Sequence, residues 1–348
     1  MTPRERGRLD GARAVARERG ERAFLAGGAV RDLLLGRPVA DLDLALEGDG
    51  AAFAKALGRR LGADVRVHER FGTATLELPG GERLDVATTR RERYAASGAL
   101  PSVESGVSIE EDLGRRDFTI HAMALDLARR PTLIDPFGGR GDLRRRLVRT
   151  LHPQSFLDDP TRVFRAVRYA ARLDFRLAPA TRRALVAAVQ GGALGRISAD
   201  RRRRELRLIL EEPERARAIA LLRRLGVAAA LHSTLSRAGA AARVRRESPS
   251  ADWLCYLSAW MGTATEPEID DLVSKLGLSR ADSRALRTGV RGVPGDLPVG
   301  GADLIAAGVP PGPAIGRALA LTRAAIAEER LSPEEALAFA VRAARRGA

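Results

Sequence analysis

Residues 24–46 read FLAGGAVRDLLLGRPVADLDLAL, and this stretch decides how the whole chain is interpreted. Gly27 and Gly28 follow a short apolar run and precede a helical pattern over residues 29–35, which Gly36 terminates. A glycine turn that opens a helix presents backbone N–H groups that have no partner within the helix, and these suit the oxygens of a phosphate chain. The stretch therefore predicts a phosphate-binding turn between a strand and a helix.

Two acidic residues follow this turn at a short distance. Asp41 and Asp43 alternate with leucines in a predicted strand over residues 41–46, so both carboxylates lie on one face, about 7 Å apart along the strand. They repel unless a cation lies between them, and Mg²⁺ usually takes one or two carboxylates together with substrate phosphates. Arg31 could add a fork of donors to the phosphates. A lone Asp-x-Asp is more often a solvated strand edge, but the joint pattern indicates a site for a metal and a nucleoside triphosphate.

The order Gly-Gly-x-Val-Arg-Asp followed by Asp-x-Asp resembles the head domain of class II tRNA nucleotidyltransferases, the CCA-adding enzymes and their bacterial poly(A) polymerase relatives. The resemblance implies an α/β nucleotidyltransferase head, with a small mixed sheet and helices, followed by an all-helical neck, body and tail. It also implies metal-dependent, template-independent addition of C and A from CTP and ATP to the 3′ end of tRNA, with Mg²⁺ as cofactor. The metal would bind to the catalytic residues Asp41 and Asp43. Residues expected to bind the nucleotide are Gly27, Gly28, Arg31 and Asp32.

The composition describes a globular protein with a polyanionic partner. Of the 348 residues, 45% are hydrophobic and 30% are charged, and no apolar run is long enough to cross a membrane. The net charge of +15 suggests nucleic acid as a partner, although its arginine bias can also reflect genome composition. The charged residues 1–22 predict no secretory signal, and the single cysteine, Cys255, fits a reducing cytoplasm. Cys255 lies in the apolar run WLCYL and is expected to be buried. No membrane or protein partner is predicted.

The next part of the chain predicts a third carboxylate for the metal site. Asp85 lies in the strand that follows the turn Pro79-Gly80-Gly81 of a predicted hairpin. Two-metal nucleotidyl transfer uses a further carboxylate, and the resembled family has one here, so we expect Asp85 to be catalytic. An ordinary hairpin aspartate would give the same pattern. Residues 94–108 lack periodicity and predict a mobile loop. Helices are expected over residues 1–22 and 51–61, and strands over residues 64–67, 73–78 and 83–87.

Residues 115–124, RRDFTIHAMA, carry a second motif of the family, Arg-Arg-Asp-Phe-Thr-x-Asn-Ala, in which His121 replaces the asparagine. The resemblance implies that Arg116 and Asp117 contact the triphosphate and the ribose. We expect His121 to be a buried histidine with satisfied hydrogen bonds rather than a catalytic one. The turn DPFGGR then predicts the end of the head, with a boundary near Arg149.

Residues 156–175 read FLDDPTRVFRAVRYAARLDF and predict a capped amphipathic helix, which as structure alone would have a solvated arginine face. The family carries Glu-Asp-x-x-Arg-x-x-Arg here, and this chain has Asp158 in place of the glutamate. Asp159 and Arg162 lie one turn apart and can together present an acceptor and a fork of donors. The pair complements cytosine and adenine, whereas guanine and uracil would leave polar groups unpaired at about 1–3 kcal/mol each. The resemblance thus implies that this pair selects the base. Further nucleotide contacts are expected at Arg165 and Arg168.

The remaining sequence predicts helices. Residues 198–210 resemble the neck motif Arg-x-x-x-Glu-Leu of the family at Arg201 and Glu205. After Leu231 the resemblance weakens, and three or four further helices are expected. Breaks are predicted at residues 266–267, 292–298 and 310–313. The predicted domains are a catalytic head over residues 1–149, a helical neck with the base-selecting helix over residues 150–231, and a tRNA-binding body and tail over residues 232–348.

Other functions fit parts of the same pattern. Within the same chemistry, the rivals are a CC-adding enzyme, an A-adding enzyme and a poly(A) polymerase. The polymerase branch usually carries a basic GRRF-type segment, whereas this chain has HERFGTATL over residues 68–76. An NAD-binding oxidoreductase would need a Gly-x-Gly-x-x-Gly fingerprint, which the sequence lacks. A non-catalytic RNA-binding protein is disfavoured because all three candidate carboxylates are present.

Overall fold

The chain forms two compact units in the computed structural model, Met1–Ile197 and Ser198–Ala348. The structure describes residues 2–39, 42–68, 72–237, 239–240, 243–244, 247, 251–262, 264–291, 299–327, 331 and 335–346. Asp41, a predicted metal ligand, lies outside the described residues, and so do residues 292–298, where a helix break is predicted.

Eleven strands are formed within the described part of the first unit. They are β1 (Arg22–Ala26), β2 (Leu42–Glu47), β3 (Asp64–His68), β4 (Thr73–Glu77), β5 (Arg83–Thr88), β6 (Arg90–Arg93), β7 (Ser102–Ser105), β8 (Ala124–Asp126), β9 (Leu133–Ile134), β10 (Leu147–Val148) and β11 (Arg176–Leu177). Seven of them form a mixed sheet in the order β3-β4-β5-β2-β1-β8-β9. In this sheet β2 and β5 are parallel, and every other neighbouring pair is antiparallel.

The helices of the first unit begin and end at residues that suit helix termini. α1 begins after Thr2, whose side chain accepts a hydrogen bond from the backbone N–H of Glu5 in a capping box, and it ends at the left-handed Gly20. These helices are α1 (Pro3–Arg19), α2 (Gly28–Leu34), α3 (Gly50–Leu61), α4 (Ile109–Gly114), α5 (Gly139–Arg145), α6 (Ser155–Asp158), α7 (Thr161–Leu173) and α8 (Pro179–Gln190). Short 3-10 turns cover residues 119–121 and 193–196.

The predicted strand–turn–helix and the predicted hairpin are both present. In β2, Asp43 is exposed, whereas Leu42 and Leu44 are buried, as the alternation predicts. β4 and β5 pair antiparallel around the Pro79-Gly80-Gly81 turn. Burial on one face of β2 therefore directs its acidic side chain to the other face.

Two predictions about irregular and helical segments are wrong in part. Residues 102–105, predicted as mobile loop, form β7 and pair antiparallel with β6. Every residue of β7 is exposed, so its sequence carries no apolar alternation that could predict a strand. The segment after residue 149, predicted as entirely helical, contains the short strand β11, which pairs in parallel with β10.

The described part of the second unit is helical. Ser198 caps its first helix by accepting from the Arg201 N–H, and Glu205 is buried in that helix. The helices are α9 (Ala199–Leu210), α10 (Arg215–Arg224), α11 (Val227–Leu231), α12 (Trp253–Met261), α13 (Glu266–Leu276), α14 (Arg280–Arg291), α15 (Gly301–Ala306), α16 (Pro313–Ala327) and α17 (Ala336–Arg346). The described residues after Leu231 form six helices, α12–α17, more than the three or four predicted.

Two details of this unit differ from the sequence-based expectation. Glu266 and Pro267, predicted as a break, open α13 behind a capping box that Thr265 forms with Glu268. Cys255 is exposed rather than buried, because it lies on the outer side of α12, whose neighbouring residues Leu254 and Tyr256 are buried. Within the described ranges, no helix is both long enough and apolar enough to cross a membrane.

The close packing of α3 against β3 gives a test of the fold. A Cβ atom at Gly58 would lie 2.2 Å from Cγ2 of Val65, a branched side chain that cannot move far, whereas a Cβ at Gly7 in α1 would meet no atom within 4 Å. We expect Gly58→Ala to lower the unfolding free energy by about 1 kcal/mol, because overpacking exceeds the gain in helix propensity. The control Gly7→Ala should raise it by about 0.5–1 kcal/mol. Urea unfolding measures both, and a rise in stability for Gly58→Ala would contradict the described packing.

Candidate active site

Two carboxylates lie side by side where β2 and β5 run in parallel. Asp43 and Asp85 are partners in the strand register. On the neighbouring strand β4, Thr75 donates a hydrogen bond from Oγ1 to Oδ1 of Asp85 at 2.6 Å, and Arg83 Nη2 lies 4.0 Å from the same oxygen. The strand register thus places Asp85 beside Asp43, as a shared metal site requires.

The paired carboxylates fit the ligand preference of Mg²⁺. This ion binds hard oxygen atoms, and it commonly uses one or two carboxylates and completes its shell with phosphates and water. In the part of the chain that the structure describes, no group of three His, Cys, Asp or Glu side chains is placed to hold a metal. Asp43 and Asp85 supply two such carboxylates, and Asp41, a further predicted ligand, lies outside the described residues.

A cleft of about 460 Å³ adjoins Asp43 and gathers most of the predicted nucleotide-binding residues. Helix α2, the residues after α4 and helix α7 form its walls. The predicted residues that line it are Gly28, Arg31, Asp32, Asp43, Arg116, Asp117, Asp159, Arg162 and Arg165. Arg168, by contrast, is buried and is not among its lining residues.

Gly27 allows an arginine to pass over the glycine turn. Its φ is +71°, and a Cβ atom there would lie 2.3 Å from Nη1 of Arg116. Arg116 is itself held by Asp112, which accepts from Nη2 at 3.1 Å. A side chain at residue 27 would thus be strained and would also displace the guanidinium, which explains the glycine at this position.

Four arginines, three on α7 and one on α2, surround the ring of Tyr169 on α7. The guanidinium carbons of Arg31, Arg165, Arg168 and Arg172 lie 5.2–5.6 Å from the ring centroid of Tyr169. Cation–π attraction holds these side chains near the ring without neutralising their charge. Three of the four line the cleft. The ring therefore organises a positively charged wall that suits a triphosphate.

The carboxylate of Asp117 accepts hydrogen bonds from other groups of the protein. Oδ1 accepts from the backbone N–H of Phe118 at 2.9 Å and from Nδ1 of His121 at 2.8 Å, while Oδ2 accepts from Nε and Nη2 of Arg165 at 2.7 and 2.6 Å. Burial would raise the pKa of Asp117, but His121 and Arg165 outweigh it and hold that pKa well below the usual range. The four acceptor positions of the carboxylate are thus occupied by groups of the protein.

The Asp159–Arg162 pair is held in place by surrounding groups. Arg162 is buried and donates from Nη1 to Oγ of Ser155 at 2.7 Å and from Nη2 to the carbonyl of Arg115 at 2.8 Å. Oδ1 of Asp159 accepts from both N–H and Oγ1 of Thr161. The alternative of a solvated arginine face is therefore wrong for Arg162.

Sequence reasoning missed several residues of the cleft. Tyr94 lies beneath Arg162, with 5.9 Å between the guanidinium carbon and the ring centroid, and its hydroxyl donates to Glu92 at 3.0 Å. Burial and the charge of Glu92 raise the pKa of Tyr94 to about 12, so the phenol remains a donor. Tyr169 lies seven positions after Arg162 and thus on the same helix face, a signal that was available. The missed lining residues are Glu92, Tyr94, Arg115, Tyr169 and Arg172.

A second cavity, of about 360 Å³, lies over β4 and β5. Thr73, Thr75, Arg83 and Asp85 line it, and it shares Asp43 with the first cleft. Asp43 consequently lies at the junction of the two cavities, and Asp85 lies in the second.

The fold and this site define a nucleotidyltransferase head, and comparisons with known proteins agree. The model of the Poly A polymerase head domain matches residues 23–149, and the model of the "Probable RNA and SrmB- binding site of polymerase A" matches residues 174–238. A CC-adding tRNA nucleotidyltransferase of Deinococcus radiodurans is 34% identical over 85% of this chain and 82% of its own. The chain belongs to the tRNA nucleotidyltransferase and poly(A) polymerase family, which confirms the resemblance.

Relatives within this family differ in the product that their names state. An A-adding tRNA nucleotidyltransferase of Geobacter sulfurreducens is 44% identical over 61% of this chain. The chain spans only 23–45% of the length of the A-adding relatives that it matches. The structure of the Thermotoga maritima CCA-adding enzyme complexed with tRNA is 28% identical, with a TM-score of 0.71 over 98% of this chain and 79% of that one.

Proposed function

We propose that the chain adds C and A from CTP and ATP to the 3′ end of tRNA, without a template, and completes the sequence CCA. The observation that carries this proposal is the pairing of Asp43, which lines both cavities, with Asp85, which lines the second. The arginine-rich cleft suits a nucleoside triphosphate, and the cavity over β4 and β5 suits the end of an RNA strand. In the reaction the 3′-hydroxyl oxygen forms a bond to the α-phosphorus, and the bond from that phosphorus to pyrophosphate breaks.

Asp43 and Asp85, together with Asp41, are the residues that would hold Mg²⁺. When bound, Mg²⁺ lowers the pKa of an attacking hydroxyl and neutralises a departing pyrophosphate. Thr75 fixes the orientation of Asp85 through its hydrogen bond, so the carboxylate is directed before any ligand arrives. These side chains thereby fix where bond formation takes place.

The triphosphate is assigned to the glycine turn and to the arginines around it. Gly27 and Gly28 bring the backbone close to the ligand at the start of α2, while Arg31 and Arg116 supply charge-assisted donors. Arg165 is oriented by Asp117 from the opposite wall. Because these groups are held by the protein, little ordering is needed when the nucleotide binds.

The base is assigned to Asp159 and Arg162, which line the same cleft. Arg162 has five N–H donors, and its bonds to Ser155 and to the Arg115 carbonyl keep the guanidinium plane in one orientation. The carboxylate of Asp159 supplies the acceptor for the exocyclic amino group that cytosine and adenine share. Guanine and uracil present a carbonyl beside an N–H, so the same pair rejects them.

Binding of tRNA is assigned to the arginine-rich helices of the second unit. Helix α9 carries Arg201–Arg204 and Arg207 within twelve residues. Contacts of this kind are made to phosphates, so affinity should fall steeply as salt rises.

Restricted addition is the second candidate, and specific similarities favour it. The Deinococcus radiodurans relative, which matches this chain over most of both lengths, is named for CC addition. Two relatives with higher identity over a shorter part of this chain are named for A addition. The segment Ala99-Leu100-Pro101 also resembles loops of these two branches.

Product length on defined tRNA ends tests the proposed function. On a tRNA that ends at its discriminator base, CTP alone should add two nucleotides, CTP with ATP should add three, and ATP alone should add almost none. Asp85→Asn should abolish addition but keep tRNA binding, whereas Asp64→Asn, at an exposed position of β3, should behave as the parent. Arrest after two nucleotides with both substrates present would assign CC addition instead, and activity only on tRNA that ends in CC would assign A addition.

Nucleotide choice tests the role of Arg162. We expect Arg162→Ala to raise the incorporation of GTP and UTP relative to CTP and ATP by about tenfold, because one unpaired polar group costs about 1–3 kcal/mol. Ser155→Ala, which removes only one hydrogen-bond acceptor of the guanidinium, should change the incorporation ratio in the same direction but by a smaller factor. Competition between labelled nucleotides measures the ratio. A uniform loss with unchanged preference would make Arg162 a structural residue.

A further inference from the structure

His121 joins the two walls of the nucleotide cleft through its ring nitrogens. Nε2 lies 2.6 Å from Nη1 of Arg31 on α2, and Nδ1 lies 2.8 Å from Oδ1 of Asp117. Asp117 in turn accepts from Arg165 on α7. The ring is buried, at 5% exposure. A continuous hydrogen-bonded path therefore runs from Arg31 to Arg165 through this one imidazole.

The partners of His121 determine its protonation. A guanidinium has donors and no acceptor, so Nε2 must accept from Arg31 and carries no proton. The carboxylate of Asp117 is an acceptor, so Nδ1 carries the proton and donates. The hydrogen-bond network thus assigns the neutral tautomer with the proton on Nδ1.

Burial and the neighbouring arginines favour this neutral form of His121. Arg31, paired with Asp32, faces the ring from α2, and Arg116 donates to the backbone carbonyl of His121. Asp117 with Arg165 faces it from the other side, and the Tyr169 ring packs edge-on at 4.3 Å. Burial is the main cause that lowers the pKa of His121. Asp117 opposes this effect without reversing it, and Arg31 and Arg165 add to it.

We propose that His121 is a positioning residue that directs the Arg31 guanidinium toward the triphosphate and ties it to Asp117 and Arg165. The inference rests on the proposed function. Among the described residues, the other hydrogen bonds of Arg31 go only to the adjacent Asp32, from Nε at 2.9 Å and from Nη2 at 2.7 Å. That pair can turn as a unit, because both side chains extend from consecutive residues. The bond to His121 anchors the third corner of the guanidinium and leaves two of its five N–H groups to meet phosphate oxygens.

Two substitutions, to glutamine and to asparagine, distinguish the roles of the two ring nitrogens of His121. A glutamine amide reaches the position of Nε2 and can accept from Arg31, whereas an asparagine amide reaches only the position of Nδ1 and can donate to Asp117. His121→Asn should weaken binding of ATP and CTP, as Kd by calorimetry and as KM, by about tenfold, the loss expected for one hydrogen bond to a charged group. His121→Gln should remain within about twofold of the parent, and kcat should change little in either. His121→Leu, a filled but apolar site, should match His121→Asn.

A double-mutant cycle shows whether His121 acts through Arg31. In an Arg31→Ala background, His121→Asn should produce no further loss of ATP affinity, because the guanidinium that it orients is gone. Thermal unfolding of each variant reports general damage to the fold, which would also persist in that background.

Acid pH gives a readout that packing alone would not produce. Protonation of Nε2 removes the acceptor, so the ATP KM of the parent should rise as pH falls through the lowered pKa of His121, which lies below the ordinary imidazole value of about 6.5. His121→Gln shares the titration of the γ-phosphate but lacks this additional rise. Equal losses in the Gln and Asn variants, or an undiminished effect of His121→Asn without Arg31, would overturn the inference. A parent that binds ATP but adds no nucleotide would overturn the proposed function alone.

Discussion

Repulsion between Asp43 and Asp85 is the constraint around which the rest of the head is arranged. The parallel pairing of β2 and β5 makes the two carboxylates partners in register, with their strands fixed by a buried apolar face. Two such charges repel each other, and a bound cation would relieve this repulsion, so we propose that the site binds one together with phosphate oxygens. The glycine turn, the arginines and both cavities lie around this pair. The affinity for a metal and the affinity for a nucleotide should therefore be coupled.

A second layer of the site holds the arginines in place. Six arginines line the nucleotide cleft, and they would repel one another if they had no partners. Asp117 fixes Arg165, Asp32 and His121 fix Arg31, and the Tyr169 ring lies among several guanidinium groups. These contacts keep positive charge directed into the cleft in the absence of a ligand. The site is thus preorganised for a polyanion, which is the condition for electrostatic stabilisation of a transferring phosphoryl group.

Local patterns in the sequence were sufficient to predict the strands and turns that carry the candidate site residues. The alternation around Asp43 and the turn before Asp85 predict strands, and the fold supplies the neighbouring positions of the two residues. Local patterns failed where tertiary contacts decide. Residues 102–105 form a strand only because β6 pairs with them. Arg162 can be buried only because Ser155 and the carbonyl of Arg115 accept hydrogen bonds from its guanidinium group. The hydrogen bonds of His121 likewise join segments 90 residues apart, which no local pattern reveals.

Metal binding tests the central claim most directly, that Asp43 and Asp85 form one site for a divalent ion and a nucleotide. Electron paramagnetic resonance of Mn²⁺, titrated with a non-hydrolysable ATP analogue, measures this without relying on turnover. The parent and the Asp64→Asn control should bind Mn²⁺ equally, and Asp43→Asn and Asp85→Asn should each bind it about tenfold more weakly or worse. Equal Mn²⁺ affinity in the parent and in Asp85→Asn would contradict the account.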